Sequence, residues 1–248
     1  MTVTGDGNPR SAPWSGRTSL VLGHRGAPRL APENRREALA AALARLDGVE
    51  TDLQRTNDGV LVINHDPHIG PLPELAAVIA QNDLADLRAR EPGLLTLADL
   101  LELLQEYPDA VMNLELKTSA PGGDPRAAEL AAELATWPGR AAERVWVSSF
   151  DPLELLRLAE QGAAAHLAYL VAEESALALL PHLPVSAVHP HYTLVTRERV
   201  DGWHGAGLAV FTWTVNDGEL AARMLEAGVD GIIGDEPQML LDAVAVRS

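Results

Sequence analysis

From Ser19 onward, short β-like apolar runs alternate with longer stretches whose apolar residues recur at three- and four-residue spacing. Such a pattern belongs to parallel strands joined by amphipathic helices. The runs predict eight strands: Leu20–Gly23, Val49–Leu53, Val111–Leu116, Arg144–Ser149, His166–Val171, Val185–His189, Leu208–Thr214 and Gly231–Ile233. Helices are predicted over Glu33–Arg45, Leu97–Glu106, Arg126–Thr136, Pro152–Glu160, Glu173–Leu180, Thr196–Trp203, Glu219–Glu226 and Pro237–Val244. Eight strand–helix pairs in 248 residues match the size of a (β/α)8 barrel. The alternative, a doubly wound open sheet, would carry a glycine-rich phosphate loop after its first strand. Neither G-x-G-x-x-G nor a Walker-type loop stands there. The expected fold is therefore α/β, a (β/α)8 TIM barrel over residues 19–248.

One unit breaks the rhythm. After the second strand, Asn57-Asp58-Gly59 signals a turn and Val60–Asn64 a further short strand, so a hairpin returns the chain to His65. The proline-rich stretch 67–93 is then expected to form a small cap insertion, too short to fold alone. Residues 1–18, rich in Gly, Pro, Ser and Asn, are expected to be a flexible tail.

A formal net charge of −16 argues against nucleic acid or an anionic membrane as the main partner, because either favours a basic surface. An anionic substrate would need a local reversal of sign from a cation and a few basic side chains. With no cysteine in the chain, disulfides and thiolate chemistry are excluded. Neither a signal-peptide core nor an uninterrupted apolar span of membrane length is found, so a cytoplasmic protein without stable membrane insertion is expected.

In a barrel of this kind the reacting groups sit at the carboxyl ends of the strands. There the sequence places Gly23-His24-Arg25-Gly26, Glu50 and Asp52, Glu115 and Lys117, Trp213 and Asn216, and Asp235. Glu50 and Asp52 are two apart and share a face. Taken alone, they could be interior carboxylates tied up in salt bridges. Glu115, at the equivalent level of the next strand, adds a third. One lysine cannot neutralise three, so a hard divalent cation with oxygen ligands, Mg2+ or Ca2+, becomes the better account. His24 and His65, each followed by a charged residue and close to the carboxylates, are candidates for base and acid on opposite sides of a phosphorus. Arg25 and Lys117 would hold phosphoryl oxygens. Trp213 is either barrel filling or a wall of the substrate pocket.

Read together, these residues resemble the glycerophosphodiester phosphodiesterase family. The motifs are HRG at His24–Gly26, PEN at Pro32–Asn34, E-x-D at Glu50–Asp52, T-x-DG at Thr56–Gly59, HD at His65–Asp66, E-x-K at Glu115–Lys117, WTVN at Trp213–Asn216 and DGII at Asp230–Ile233. Their order and spacing carry the resemblance over nearly the whole chain after the tail. The chain departs from the family pattern at Arg35, at Gly234 and in the shortened segment after His65-Asp66. What the resemblance implies is hydrolysis of a small-molecule glycerophosphodiester to sn-glycerol 3-phosphate and an alcohol. It implies His24 and His65 as the acid/base pair, Arg25 and Lys117 on phosphate, and one divalent cation on Glu50, Asp52 and Glu115, with Mn2+ a further candidate. It also implies attack by the glycerol 2-hydroxyl and a cyclic phosphate that water opens. The rival readings are a phospholipase D-like enzyme acting on phospholipid head groups and a barrel that binds a phosphorylated metabolite without turnover.

Overall fold

The structure, a computed structural model, describes residues 11–17, 19–70, 77–118, 123–163 and 165–245. Most of the expected tail, part of the expected cap (71–76) and the last three residues of the barrel's expected span lie outside the described residues. The strands are β1 Leu20–His24, β2 Gly48–Arg55, β3 Leu61–Ile63, β4 His68–Ile69, β5 Ala77–Val78, β6 Val111–Leu116, β7 Val145–Ser149, β8 His166–Val171, β9 Ala187–Pro190, β10 Ala209–Thr212 and β11 Gly231–Gly234. The α-helices are α1 Arg36–Leu43, α2 Leu84–Arg90, α3 Leu97–Glu106, α4 Arg126–Thr136, α5 Gly139–Ala142, α6 Pro152–Glu160, α7 Arg197–Gly205, α8 Gly218–Ala227 and α9 Pro237–Ala245.

The sheet runs β1-β11-β10-β9-β8-β7-β6-β2 and closes through β1–β2. Every pairing in that ring is parallel, so the fold is a (β/α)8 barrel. Alternation along the strands divides two cores. Outward residues such as Val49, Met112, Val147 and Val210 pack under Leu39, Leu100, Leu130 and Leu225 of the helices. Inward residues Leu20, Leu22, Val111, Trp146, Phe211 and Ile233 fill the barrel. Antiparallel β3 pairs with the outer end of β2, Leu53–Arg55, completing the expected hairpin. Beyond it, β4 and β5 pair with one another, and Ile69, Ile79, Leu87 and Leu94 form a small core of their own with Val62 of the hairpin.

Two predicted helices differ. The first begins at Arg36 rather than Glu33, because Asn34 is left-handed (φ 56°) and Arg35 is extended. The segment expected as a helix over Glu173–Leu180 is a 3₁₀ helix, Glu174–His182. Pro181 near its end has no N–H to give to an α-helical ladder.

Residues 11–17, the described end of the expected tail, form a turn that carries Trp14 into the amino-terminal end of the barrel. Its ring meets Trp146 edge-on at 5.5 Å and Phe211 at 5.5 Å. Trp14→Ala is expected to lower stability by roughly 2–3 kcal/mol in urea titrations, from lost aromatic packing at a half-buried site. A change under about 0.5 kcal/mol, the range of neutral surface substitutions, would show that Trp14 closes nothing.

Candidate active site

The three carboxylates owe their meeting to register. Asp52 lies opposite Glu115 on the adjoining strand, and Glu50 opposite Asn113 on one side and His24 on the other. One oxygen from each of Glu50, Asp52 and Glu115 falls within 4.8 Å of the others. All three are buried, at 4%, 1% and 8% exposure. Lys117 lies just past β6 and pairs with Asp52 at 2.7 Å and Glu115 at 2.5 Å. Asn34 donates its amide to Asp52 at 2.7 Å and accepts from the Thr51 hydroxyl at 2.7 Å. Burial opposes the charge of Asp52, but Lys117, Arg25 and Asn34 together hold it below the usual carboxylate range.

Glu50 is less well served. One of its oxygens accepts the Arg25 N–H at 3.1 Å, while Oε1 is buried without a partner. Burial first, then the negative charge of Asp52, pushes its carboxyl up to about 8. Glu115 is raised too, chiefly by burial. Three converging carboxylates, one of which has an orphaned oxygen, with no nitrogen or sulfur in the set, suit a hard divalent cation. Such an ion would satisfy Glu50 and bring all three groups to their ionised form.

The turn after β1 is as tightly specified. A Cβ at Gly23 would lie 2.2 Å from the Gly26 carbonyl oxygen, and Arg25 and Gly26 both adopt positive φ. This reversal aims the Arg25 N–H at Glu50 and sends its guanidinium toward Asp52, at 3.5 Å, and to both oxygens of Glu33, at 3.0 and 3.1 Å.

Gly23 pairs with Gly234, so the residues that follow, His24 and Asp235, face one another. Their Nδ1–Oδ1 distance is 2.7 Å. Asn216 donates to the other Asp235 oxygen at 2.5 Å and accepts the Asp235 N–H at 2.8 Å. Burial works against a charged His24, yet the bond to Asp235 and the negative Glu50 raise it above the ordinary imidazole value. His65 follows β3, with Nδ1 2.9 Å from Asp66 and its carbonyl held by Gln54 at 3.0 Å. Burial, and then the positive Lys117, lower it.

A cavity of about 200 Å³ joins these groups. Its lining combines polar His24, Arg25, His65 and Lys117 with apolar Phe150, Leu170, Trp213 and Ile233. Trp213 is fixed by donating Nε1–H to the His189 carbonyl at 2.8 Å and by an edge-on contact with Phe150 at 5.3 Å.

The model of the "Glycerophosphoryl diester phosphodiesterase family" matches residues 24–239. The chain belongs to this family. A glycerophosphodiester phosphodiesterase of Caldanaerobacter subterraneus subsp. tengcongensis is 29% identical over 245 residues, covering 91% of this chain and 98% of the relative. Among solved structures, an Oleispira antarctica phosphodiesterase in complex with the product sn-glycerol-3-phosphate matches with a TM-score of 0.81 at 25% identity. The match covers 95% of this chain and all, 100%, of that one. The glycerophosphodiester phosphodiesterase of Thermotoga maritima matches with a TM-score of 0.71 at 25% identity, over 90% and 97% of the two chains.

In this family member the structure thus brings His24, Arg25, Glu50, His65, Glu115, Lys117 and Trp213 to one cavity, with an Asp52 oxygen within 4.8 Å of those of Glu50 and Glu115. Some supporting residues are not evident from strand ends. Asn34, within a stretch predicted to open a helix, instead orients Asp52. Arg126, predicted only as the start of a helix, is buried and donates to the carbonyls of Lys117 and Thr118 at 2.8 and 3.2 Å, fixing the turn that carries Lys117. The sequence signal for Asn34 was its place in the PEN motif, Pro32–Asn34, which does not give its partner. Among the described residues, no helix is long and apolar enough to cross a membrane.

Proposed function

We propose that this glycerophosphodiester phosphodiesterase releases sn-glycerol 3-phosphate and an alcohol, with His24 and His65 as the acid/base pair. Glu50, Asp52 and Glu115 would hold one divalent cation, Mg2+, Ca2+ or Mn2+. The observation that carries this reading is the meeting of two anchored imidazoles and three buried carboxylates on one cavity. When bound, the cation would supply Lewis-acid stabilisation of charge on the phosphoryl oxygens. Arg25 and Lys117, in the cavity lining, would hold those oxygens. Trp213 and Phe150 would border the carbon skeleton and exclude water there.

Each imidazole has its Nδ1 engaged by a carboxylate, which leaves Nε2 of each to exchange a proton with substrate. The direction of the two shifts supports a division of labour. His65, favoured neutral, takes the proton of the glycerol 2-hydroxyl as that oxygen attacks phosphorus. His24, favoured protonated by Asp235, gives a proton to the departing alkoxide. The P–O bond to the alcohol breaks and a cyclic phosphate forms. Water then opens it with the two roles reversed.

Assaying glycerol 3-phosphate released from glycerophosphocholine with Mg2+, Ca2+ or Mn2+ tests the activity. A diester of 1,3-propanediol, lacking the 2-hydroxyl, should stay intact. Cleavage of it at the rate of the glycerol diester would exclude the cyclic route.

The pH dependence follows in sign. An active neutral His65 makes kcat/KM fall as pH drops through its pKa, below the ordinary value of about 6.5. An active protonated His24 makes it fall as pH rises through a pKa above that value. Asp235→Asn removes the anchoring charge and should move the alkaline limb about one unit down. An alkaline limb that stays in place in this variant would separate His24 from the acid role.

A further inference from the structure

We infer that Asn113 supplies a fourth side-chain oxygen to the cation site, at the floor of the cavity beneath Glu115. This rests on reading Glu50, Asp52 and Glu115 as the cation's ligands and extends that set to a residue outside the E-x-D and E-x-K motifs.

Asn113 is inward-facing on β6, two residues before Glu115, and it lines the same cavity. It is 1% exposed. Its amide nitrogen donates to the Ser148 hydroxyl on β7 at 2.9 Å, and that bond turns Oδ1 away from Ser148. Oδ1 is buried with no partner. A buried acceptor without a donor costs the folded state its lost hydration. Other inward positions at neighbouring levels, Val111, Leu22 and Ile233, are apolar, so a polar residue is no requirement of barrel filling.

The register sharpens the point. Asn113 is the cross-strand partner of Glu50, whose Oε1 is the other orphaned acceptor on this floor. With Glu50 ionised, two adjacent inward acceptors, both buried and both without donors, cannot satisfy one another. A species that both can face must be positive or carry donated hydrogens. A hydrated divalent cation is both, and a carboxamide oxygen is an ordinary hard ligand for such ions. The bond to Ser148 orients the carboxamide, as supporting hydrogen bonds do for metal-ligating groups.

Mn2+ binding to the full chain, measured by isothermal titration and by loss of the free-ion paramagnetic resonance signal, tests this without reference to turnover. Asn113→Ala should raise the Kd for Mn2+ about tenfold or more. Asn113→Asp, which keeps the oxygen and adds charge, should bind at least as tightly as the native chain. Circular dichroism and thermal melts confirm that each variant is folded. A native Kd in folded Asn113→Ala, or a loss in folded Asn113→Asp equal to that in Asn113→Ala, would overturn the inference. Glu115→Gln separates the levels: if it binds Mn2+ with the native Kd, the three-carboxylate reading falls and this inference with it. If it binds weakly while Asn113→Ala binds normally, the inference alone falls.

Discussion

His65→Ala and His24→Ala are each expected to lower kcat on glycerophosphocholine about a thousandfold, the usual worth of a positioned acid or base. In both positions the imidazole is oriented by a carboxylate, Asp66 in one case and Asp235 in the other. Neither lost ring has a ready substitute: the remaining basic groups on the cavity wall, Arg25 and Lys117, are held charged among carboxylates. Because those two cations remain to bind phosphate, KM should change far less than kcat, which is the signature of a group used in the transition state. Steady-state kinetics on the purified variants decides the matter. Full activity in either variant would remove that histidine from the chemistry.

Chelation should have the next largest effect. Exhaustive treatment with EDTA is expected to abolish glycerol 3-phosphate release, and one of Mg2+, Ca2+ or Mn2+ should restore it; Glu50→Ala should resist restoration. Stability should move with activity. Without a cation, three carboxylate oxygens within 4.8 Å are served chiefly by Lys117 and Arg25, the latter shared with Glu33. An ion at a hundred times its Kd would add about 2.7 kcal/mol to the folded state, readable as a higher Tm. Unchanged activity and unchanged Tm after complete chelation would exclude the ion from the site.

The carboxylates were legible in the chain because strand periodicity is simple: two residues apart means one face, and Glu50, Asp52 and Glu115 obey it, with Lys117 reaching the same group from just past β6. Barrel closure was legible for the same reason, repeated around the ring. What escaped depended on loops. Asn34 acts from a left-handed backbone position, which nothing in a hydrophobic stripe announces. Arg126 acts through carbonyls of a turn, and a buried arginine there looks, in one dimension, like any polar helix start. Glu174–His182 departed from α-geometry although its apolar spacing suited a helix, since Pro181 removed a donor that the stripe does not register.

The bond between His24 and Asp235 joins positions 211 residues apart, at the end of the first strand of the ring and just past the last. By contrast, Glu50, Asp52 and Glu115 sit on two strands paired over six residues. The β1–β11 seam is therefore a clasp. Loosening it would cost His24 its anchor while leaving the carboxylate cluster standing, so damage there would surface first as an altered proton inventory rather than as a lost ion. In that sense the general acid of the reaction doubles as a gauge of whether the circle is shut.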